Sequence, residues 1–145
     1  MTRPVTPQLA ADAIIELVDR PGRPIVLIER RNPPHGFAIP GGFVDVGETL
    51  EHAAVREALE ETSLQVTLKA LLGCYSYPGR DPRGHTVTAV YVAEAYGEPR
   101  AADDALNLAV FPIDALPHTL AFDHALVLAD YLRFRADGTV APLRP

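Results

Sequence analysis

Residues 42–64 read GFVDVGETLEHAAVREALEETSL, and the second half of this stretch is a helix by pattern. Thr49 is placed to cap it, and Glu51 falls in the first turn, where the helix dipole favours an acid. Leu50, Ala54, Val55, Ala58, Leu59 and Thr62 recur near the 3.6-residue period, so the spacing predicts a helix over Thr49–Thr62. On that helix Glu57, Glu60 and Glu61 stand at i, i+3 and i+4 and share one face. Like charges at this spacing cost a helix about 0.2–0.5 kcal/mol per pair. Arg56 reaches Glu60 four residues on, which offsets one charge. Two readings follow from the helix alone: a solvated acidic face, or a face that binds a hard divalent cation through carboxylate oxygens. Just upstream, Gly41-Gly42 lacks side chains and lets backbone approach a metal or phosphate closely, and Glu48 lies in the loop before the cap. Together these residues form G-x5-E-x7-R-E-x2-E-E, on Gly42, Glu48, Arg56, Glu57, Glu60 and Glu61, a specific pattern because six positions are held in one register.

Working outward, Ala13–Val18 and Ile25–Glu29 read as strands joined by a turn at Asp19-Arg20-Pro21-Gly22-Arg23. Asn32–Gly36 is a loop, Ala38-Ile39 is short and apolar, and Pro40-Gly41-Gly42 breaks the chain. Beyond the helix, Val66–Tyr77 and Thr86–Tyr96 read as strands flanking a charged loop from Pro78 to Gly84. Residues 97–107 form an acidic, alanine-rich excursion, and Leu108–Phe111 reads as a short strand. Phe122–Phe134 reads as a second helix, and the last ten residues as a loosely ordered tail. Two helices with roughly five or six strands predict an α+β fold, a mixed sheet sandwiched between helices.

The chain has 145 residues with 48% hydrophobic composition, which suits one domain over residues 1–145 and argues against disorder. A lone cysteine, Cys74, excludes an internal disulfide framework and fits a reducing compartment, so the expected location is cytoplasmic. No apolar run reaches the ~18 residues that span a bilayer, and Met1–Ala10 has no apolar signal core. Neither membrane association nor secretion is expected. The net charge of −6 argues against nucleic acid as a partner, and an acidic protein that handles anions needs a local cation.

The stretch 42–64 resembles the signature of the Nudix hydrolases, G-x5-E-x7-R-E-U-x-E-E-x-G-U with U a bulky apolar residue. Ala58 is smaller than the usual U, and Ser63 stands where the family has a glycine. Gly36–Gly42 resembles the family's lead-in, and the segments Tyr77–Thr86 and Leu120–Ala125 resemble its ADP-ribose pyrophosphatase branch, which carries a proline near Pro78. The resemblance implies a Nudix fold. It also implies Mg²⁺-dependent cleavage of a nucleoside diphosphate derivative, ADP-ribose above all, to AMP and ribose 5-phosphate. Mn²⁺ is the alternative ion. Glu57 and Glu61 would be the main metal ligands, joined by Glu60 and a carbonyl of Gly41 or Gly42. Arg56 would hold Glu60 or Glu48, with Glu48 acting from behind. Asp104 is the chosen general base, ahead of Glu98 and Asp103. Arg80 and Arg83 would meet phosphate or ribose, as would His85, and Phe37 is either an adenine stack or core. A homodimer is expected from the branch. Other substrates of the family, nucleotide-pool or dinucleoside polyphosphate, remain the alternative. So does an ADP-ribose sensor without catalysis, disfavoured because every box carboxylate is intact.

Overall fold

A computed structural model of the chain describes residues 2–103 and 105–145. The strands are β1 (Gln8–Leu17), β2 (Ile25–Arg30), β3 (Phe37–Ala38), β4 (Gly41–Phe43), β5 (Thr67–Tyr75), β6 (Thr86–Ala95) and β7 (Ala105–Phe111). The helices are α1 (Leu50–Thr62) and α2 (His124–Asp137), with one 3-10 turn at Pro78–Arg80. One sheet runs β3-β2-β1-β6-β5, with β4 also paired to β1 and β7 to β2. The β1–β6 pair is parallel and the other pairings are antiparallel, so the sheet is mixed.

Side chains alternate across β1 with period two. Ala13, Ile15 and Leu17 pack with Ala58 of α1 on one face. Ile14 packs with Val127, Leu128 and Tyr131 of α2 on the other. The sheet therefore lies between the two helices, as the pattern predicted. Among the described residues no helix is long and apolar enough to cross a membrane.

Several boundaries differ from the sequence reading, each for a long-range reason. β1 begins at Gln8 rather than Ala13, because it pairs with β6 from Gln8↔Thr86 to Leu17↔Ala95. Asp12 interrupts the apolar run without ending the strand, since Thr88 of β6 donates to it at 2.7 Å. The glycines after Pro40 are strand rather than breaker, pairing Ala11↔Gly42 and Asp12↔Gly41. β7 starts at Ala105, inside the acidic excursion, because β2 supplies a partner over its whole length. Phe122 sits at φ 55°, outside α2, which instead runs on to a left-handed cap at Gly138. In α1, Leu59 is exposed and Ala53 takes a buried place. The tail is not loose at its pairing points: Ala141 N–H donates to Leu72 O at 2.9 Å, and Arg144 makes two 2.9 Å bonds to Asp130.

The position where the resemblance expects a glycine is met by Ser63 at φ 63°, a left-handed cap whose N–H donates to Leu59 O. Its hydroxyl donates to Arg100 O at 3.1 Å, which offsets part of the ~1 kcal/mol cost of that backbone for a side chain. Gly41 has no such latitude. A Cβ there would lie 1.8 Å from Asp12 Oδ1 and 2.6 Å from Ala11 O. Gly41→Ala is therefore expected to lower unfolding free energy by about 2–3 kcal/mol, read as a shift in the urea midpoint at unchanged m-value.

Candidate active site

A cavity of about 410 Å³ opens where β1, β4, α1 and the start of α2 meet. Its acids are Asp12, Asp45, Glu57, Glu61 and Asp81, and its cationic side chains are Arg30, Arg80 and Arg83. Gly41, Gly42, Phe43, Phe122, Thr88 and His124 complete the lining used below.

The helix N-cap holds as predicted, with Thr49 accepting from His52 N–H at 3.0 Å. That start sets the phase that points Glu57 and Glu61 at the cavity. Gly42 allows it, since a Cβ there would lie 2.6 Å from the Glu57 carboxyl carbon. Gly41 N–H donates to Glu61 Oε1 at 3.1 Å. Arg56 serves both of its expected partners. Its Nε and Nη2 donate to Glu48 at 2.6 and 2.8 Å. Its Nη1 donates to Glu57 at 2.9 Å and to Glu60 at 3.2 Å. Its Nη2 also donates to Phe43 O at 3.1 Å. Glu48 thus stands behind the arginine, its carboxyl held far below the usual range chiefly by these hydrogen bonds.

Burial dominates the other acids. It raises Glu57 above the usual range against the pull of Arg56, and lifts Glu61 to about 9 with the help of the Glu57 charge. Asp12 is pushed up to about 7 by burial, less what Thr88 and Arg80 return. His124 is pressed down to about 3 by burial, then by Arg80 and Arg30. Its neutral Nδ1 accepts from Ile39 N–H at 3.0 Å, and its Nε2 lies 4.0 Å from Asp12 Oδ2.

Among the described residues no three His, Cys, Asp or Glu side chains converge as a ready metal cluster. Arg56 engages Glu57 and Glu60 together. The donor set nevertheless fits a hard divalent cation: carboxylate oxygens whose charged forms burial disfavours, beside backbone that carries no Cβ.

Not every other sequence candidate reaches the cavity. Phe37 does not line the cavity; its ring meets Phe111 edge-on at 5.1 Å and packs against the core. Pro78 lines a separate cavity of about 790 Å³ with Tyr77 and the chain's C-terminal residues. Arg80 lies in the acid cavity, but its guanidinium is bonded to Asp123 at 2.7 and 2.9 Å, which limits its reach for a phosphate. Arg83 also lines the cavity and is forked onto Asp81. His85 is bonded to Ser76 O at 3.0 Å, outside the cavity lining. Glu98 pairs with Arg20 at 2.8 Å, away from the cavity. Asp103 does not line the cavity either, and Asp104 lies outside the described residues. The sequence reading missed Asp12, Phe43, Phe122, Asp123 and the cavity role of His124. Asp12 had a usable signal, an acid inside an apolar strand. Asp123 looks like a helix cap, yet it makes no cap bond because Arg80 takes its carboxylate.

The fold and this carboxylate–guanidinium cavity define a site suited to an anionic ligand held beside acids. The NUDIX domain family model matches residues 7–131, and the chain belongs to the Nudix family of hydrolases. It is 47% identical over 132 residues to the ADP-ribose pyrophosphatase of Methanocaldococcus jannaschii, covering 89% of this chain and 75% of that one. It is 33% identical over 127 residues to the ADPR responsive transcriptional repressor NtrR of Acinetobacter baylyi, covering 82% of this chain and half of the repressor. Among solved structures it resembles the NUDIX domain of Shewanella oneidensis NrtR complexed with ADP ribose. That likeness has a TM-score of 0.75 and 25% identity, over 91% of this chain and 90% of that one.

The raised acids make a pH signature. Asp12 and Glu61 bind protons more tightly folded than unfolded, from ordinary values of 3.8 and 4.5 up to about 7 and 9. Stability they contribute is complete below those ordinary values and is lost as pH rises through the folded ones. His124 works oppositely, losing its contribution as pH falls from 6.5 towards 3, so above pH ~6.5 the carboxylates govern. With metal chelated, Tm is expected to fall from pH 6.5 to 9, and Glu61→Gln to flatten that fall. Saturating Mg²⁺ or Mn²⁺ should raise Tm more at pH 9 than at pH 6.5; calorimetry over this range checks the sign.

Proposed function

We propose that this Nudix hydrolase cleaves ADP-ribose, with water, to AMP and ribose 5-phosphate. The observation that carries this is one cavity uniting the carboxylates of Glu57 and Glu61 with the guanidinium groups of Arg30, Arg80 and Arg83 and two aromatic rings. A nucleoside diphosphate sugar has the matching parts: charge in the middle, a flat base at one end, a polar sugar at the other. ADP-ribose is named for the archaeal relative and for the complexed domain, which supports this choice within the class.

Glu57 and Glu61, with Glu60 released from Arg56 and a carbonyl of Gly41 or Gly42, would hold Mg²⁺, with Mn²⁺ as its substitute. Bound there, the ion supplies charge neutralisation on the diphosphate and a lower pKa for the attacking water. Gly41 N–H orients Glu61, and Glu48 fixes the plane of Arg56 so that Arg56 keeps Glu57 aimed at the cavity. Breaking the P–O–P bridge requires the water to lose a proton. We assign that step to Asp104, the acid left among the three sequence candidates once Glu98 is paired with Arg20 and Asp103 stands outside the cavity lining. The box carboxylates that a purely sensing protein has no need of are all present, which favours an enzyme over a regulator.

The test is a panel of ADP-ribose, NADH, diadenosine polyphosphates, oxidised dGTP and a nucleotide sugar, ranked by kcat/KM with Mg²⁺. ADP-ribose is expected to lead by tenfold or more, a margin of about 1.4 kcal/mol in transition-state binding. Glu57→Gln and Glu61→Gln should each lose about 100-fold or more in kcat/KM, given that residues merely supporting a metal ligand cost 10–100-fold. Asp104→Asn should lose about 100-fold in kcat at nearly unchanged KM. Binding of ADP-ribose with no turnover in the wild type would replace the enzyme by a sensor.

A further inference from the structure

Between β3, which pairs with β2, and β4, which pairs with β1, the chain crosses from one strand to the next through Ile39 and Pro40. Three backbone groups along this crossing are held by three different elements. Ile39 N–H donates to His124 Nδ1 of α2 at 3.0 Å. Pro40 O accepts from Ala13 N–H of β1 at 2.9 Å. Gly41 N–H donates to Glu61 Oε1 of α1 at 3.1 Å. Ile39 and His124 are both buried, and a buried backbone N–H without an acceptor is costly. The His124 ring supplies that acceptor.

This bond fixes the state of the ring. A backbone N–H needs a lone pair, so Nδ1 carries no proton and the neutral ring holds its proton on Nε2. Burial, then the charges of Arg80 and Arg30, favour the same neutral ring. Nε2 lies 4.0 Å from Asp12 Oδ2, too far for a direct hydrogen bond. His124 therefore lines the cavity with neither ring nitrogen free to take a proton. What the ring does is hold the crossing. Pro40 stands between Ile39 and Gly41 with its φ fixed by the pyrrolidine ring. A shift at Ile39 thus reaches Gly41 N–H with one torsion fewer to absorb it.

We propose, resting on the function proposed above, that His124 is a positioning residue for the hydrolysis: its unprotonated Nδ1 fixes the crossing from Ile39 to Gly41, and through Gly41 N–H it sets the aim of the Glu61 carboxylate. The aim of a carboxylate that holds a metal is sensitive to its supporting hydrogen bonds, so loss of the Nδ1 acceptor acts on metal binding before any chemistry occurs.

Two measurements on the full chain test this, and neither needs turnover. Nitrogen NMR of protein labelled with ¹⁵N at histidine reads the ring, with the His124 signals identified by their loss in His124→Asn. Between pH 6.5 and 9 the form protonated at Nε2 alone is expected; a proton on Nδ1 in that range overturns the proposal. Calorimetric titration with Mn²⁺ reads the acids. His124→Leu has no acceptor, and His124→Gln places its amide near Nε2 rather than Nδ1, so each should weaken Mn²⁺ about 10- to 100-fold. His124→Asn returns an oxygen near Nδ1 and should recover Mn²⁺ to within about threefold of wild type. The comparison of Asn with Gln, both polar amides, stands even if the Leu variant folds poorly. Equal losses for Asn and Gln that follow their fall in Tm mark a merely structural role and overturn the proposal, as does wild-type Mn²⁺ affinity in Gln and Leu. ADP-ribose turnover is scored separately. If ADP-ribose is not cleaved but Mn²⁺ affinity follows the Nδ1 acceptor, the substrate reading falls and the positioning role stands. If ADP-ribose is cleaved and Mn²⁺ affinity ignores His124, the positioning role falls and the substrate reading stands.

Discussion

Carboxylates gathered out of water repel one another, and this fold collects Asp12, Glu57 and Glu61 around one cavity. Much else in the structure offsets that repulsion. Arg56 spreads one guanidinium over Glu48, Glu57 and Glu60. Thr88 donates to Asp12, and the backbone of Gly41 donates to Glu61. The lack of side chains on Gly41 and Gly42 then has an electrostatic reason as well as a steric one. Main chain can reach the acids only where no Cβ intervenes, and a buried acid without a donor is costly.

A second polar arrangement is built on the opposite sign. Arg80 is almost wholly buried and reaches across to Asp123, the residue before α2. Arg83 folds back on Asp81 two residues earlier. These pairs keep positive charge inside the cavity without leaving it bare, since a buried charge needs a partner. The Arg80–Asp123 pair also ties the loop before β6 to the start of α2, where His124 accepts from Ile39 N–H. The lead-in to β4, the loop and the second helix thus meet at a few hydrogen bonds beside the acids.

What the sequence disclosed was local. The N-cap at Thr49, the phase of Glu57, Glu60 and Glu61, the hairpin and the odd Ser63 all rest on residues within a few positions of one another, where helix period and turn chemistry suffice. Asp12 was harder, because its place depends on pairing with Val90, far along the chain. The aromatic residues were harder still. Phe37 and Phe43 stand six positions apart in similar company, yet one faces the core and the other the cavity. That choice is made by the register of β3 on β2 and of β4 on β1, and by a backbone excursion at Phe122 that no propensity suggests.

The small contacts at the end of α1 have a mechanical meaning. Arg100 N–H donates to Thr62 O, Ala102 N–H donates to Glu61 O, and Ser63 Oγ donates to Arg100 O. The segment leading into β7 is thereby riveted to the last turn of the helix, at the very residue whose carboxylate enters the cavity. Segment and helix end are thus one hydrogen-bonded unit. Glu61 is gripped at both ends: its carbonyl from outside the cavity by Ala102 N–H, its carboxylate from within by Gly41 N–H.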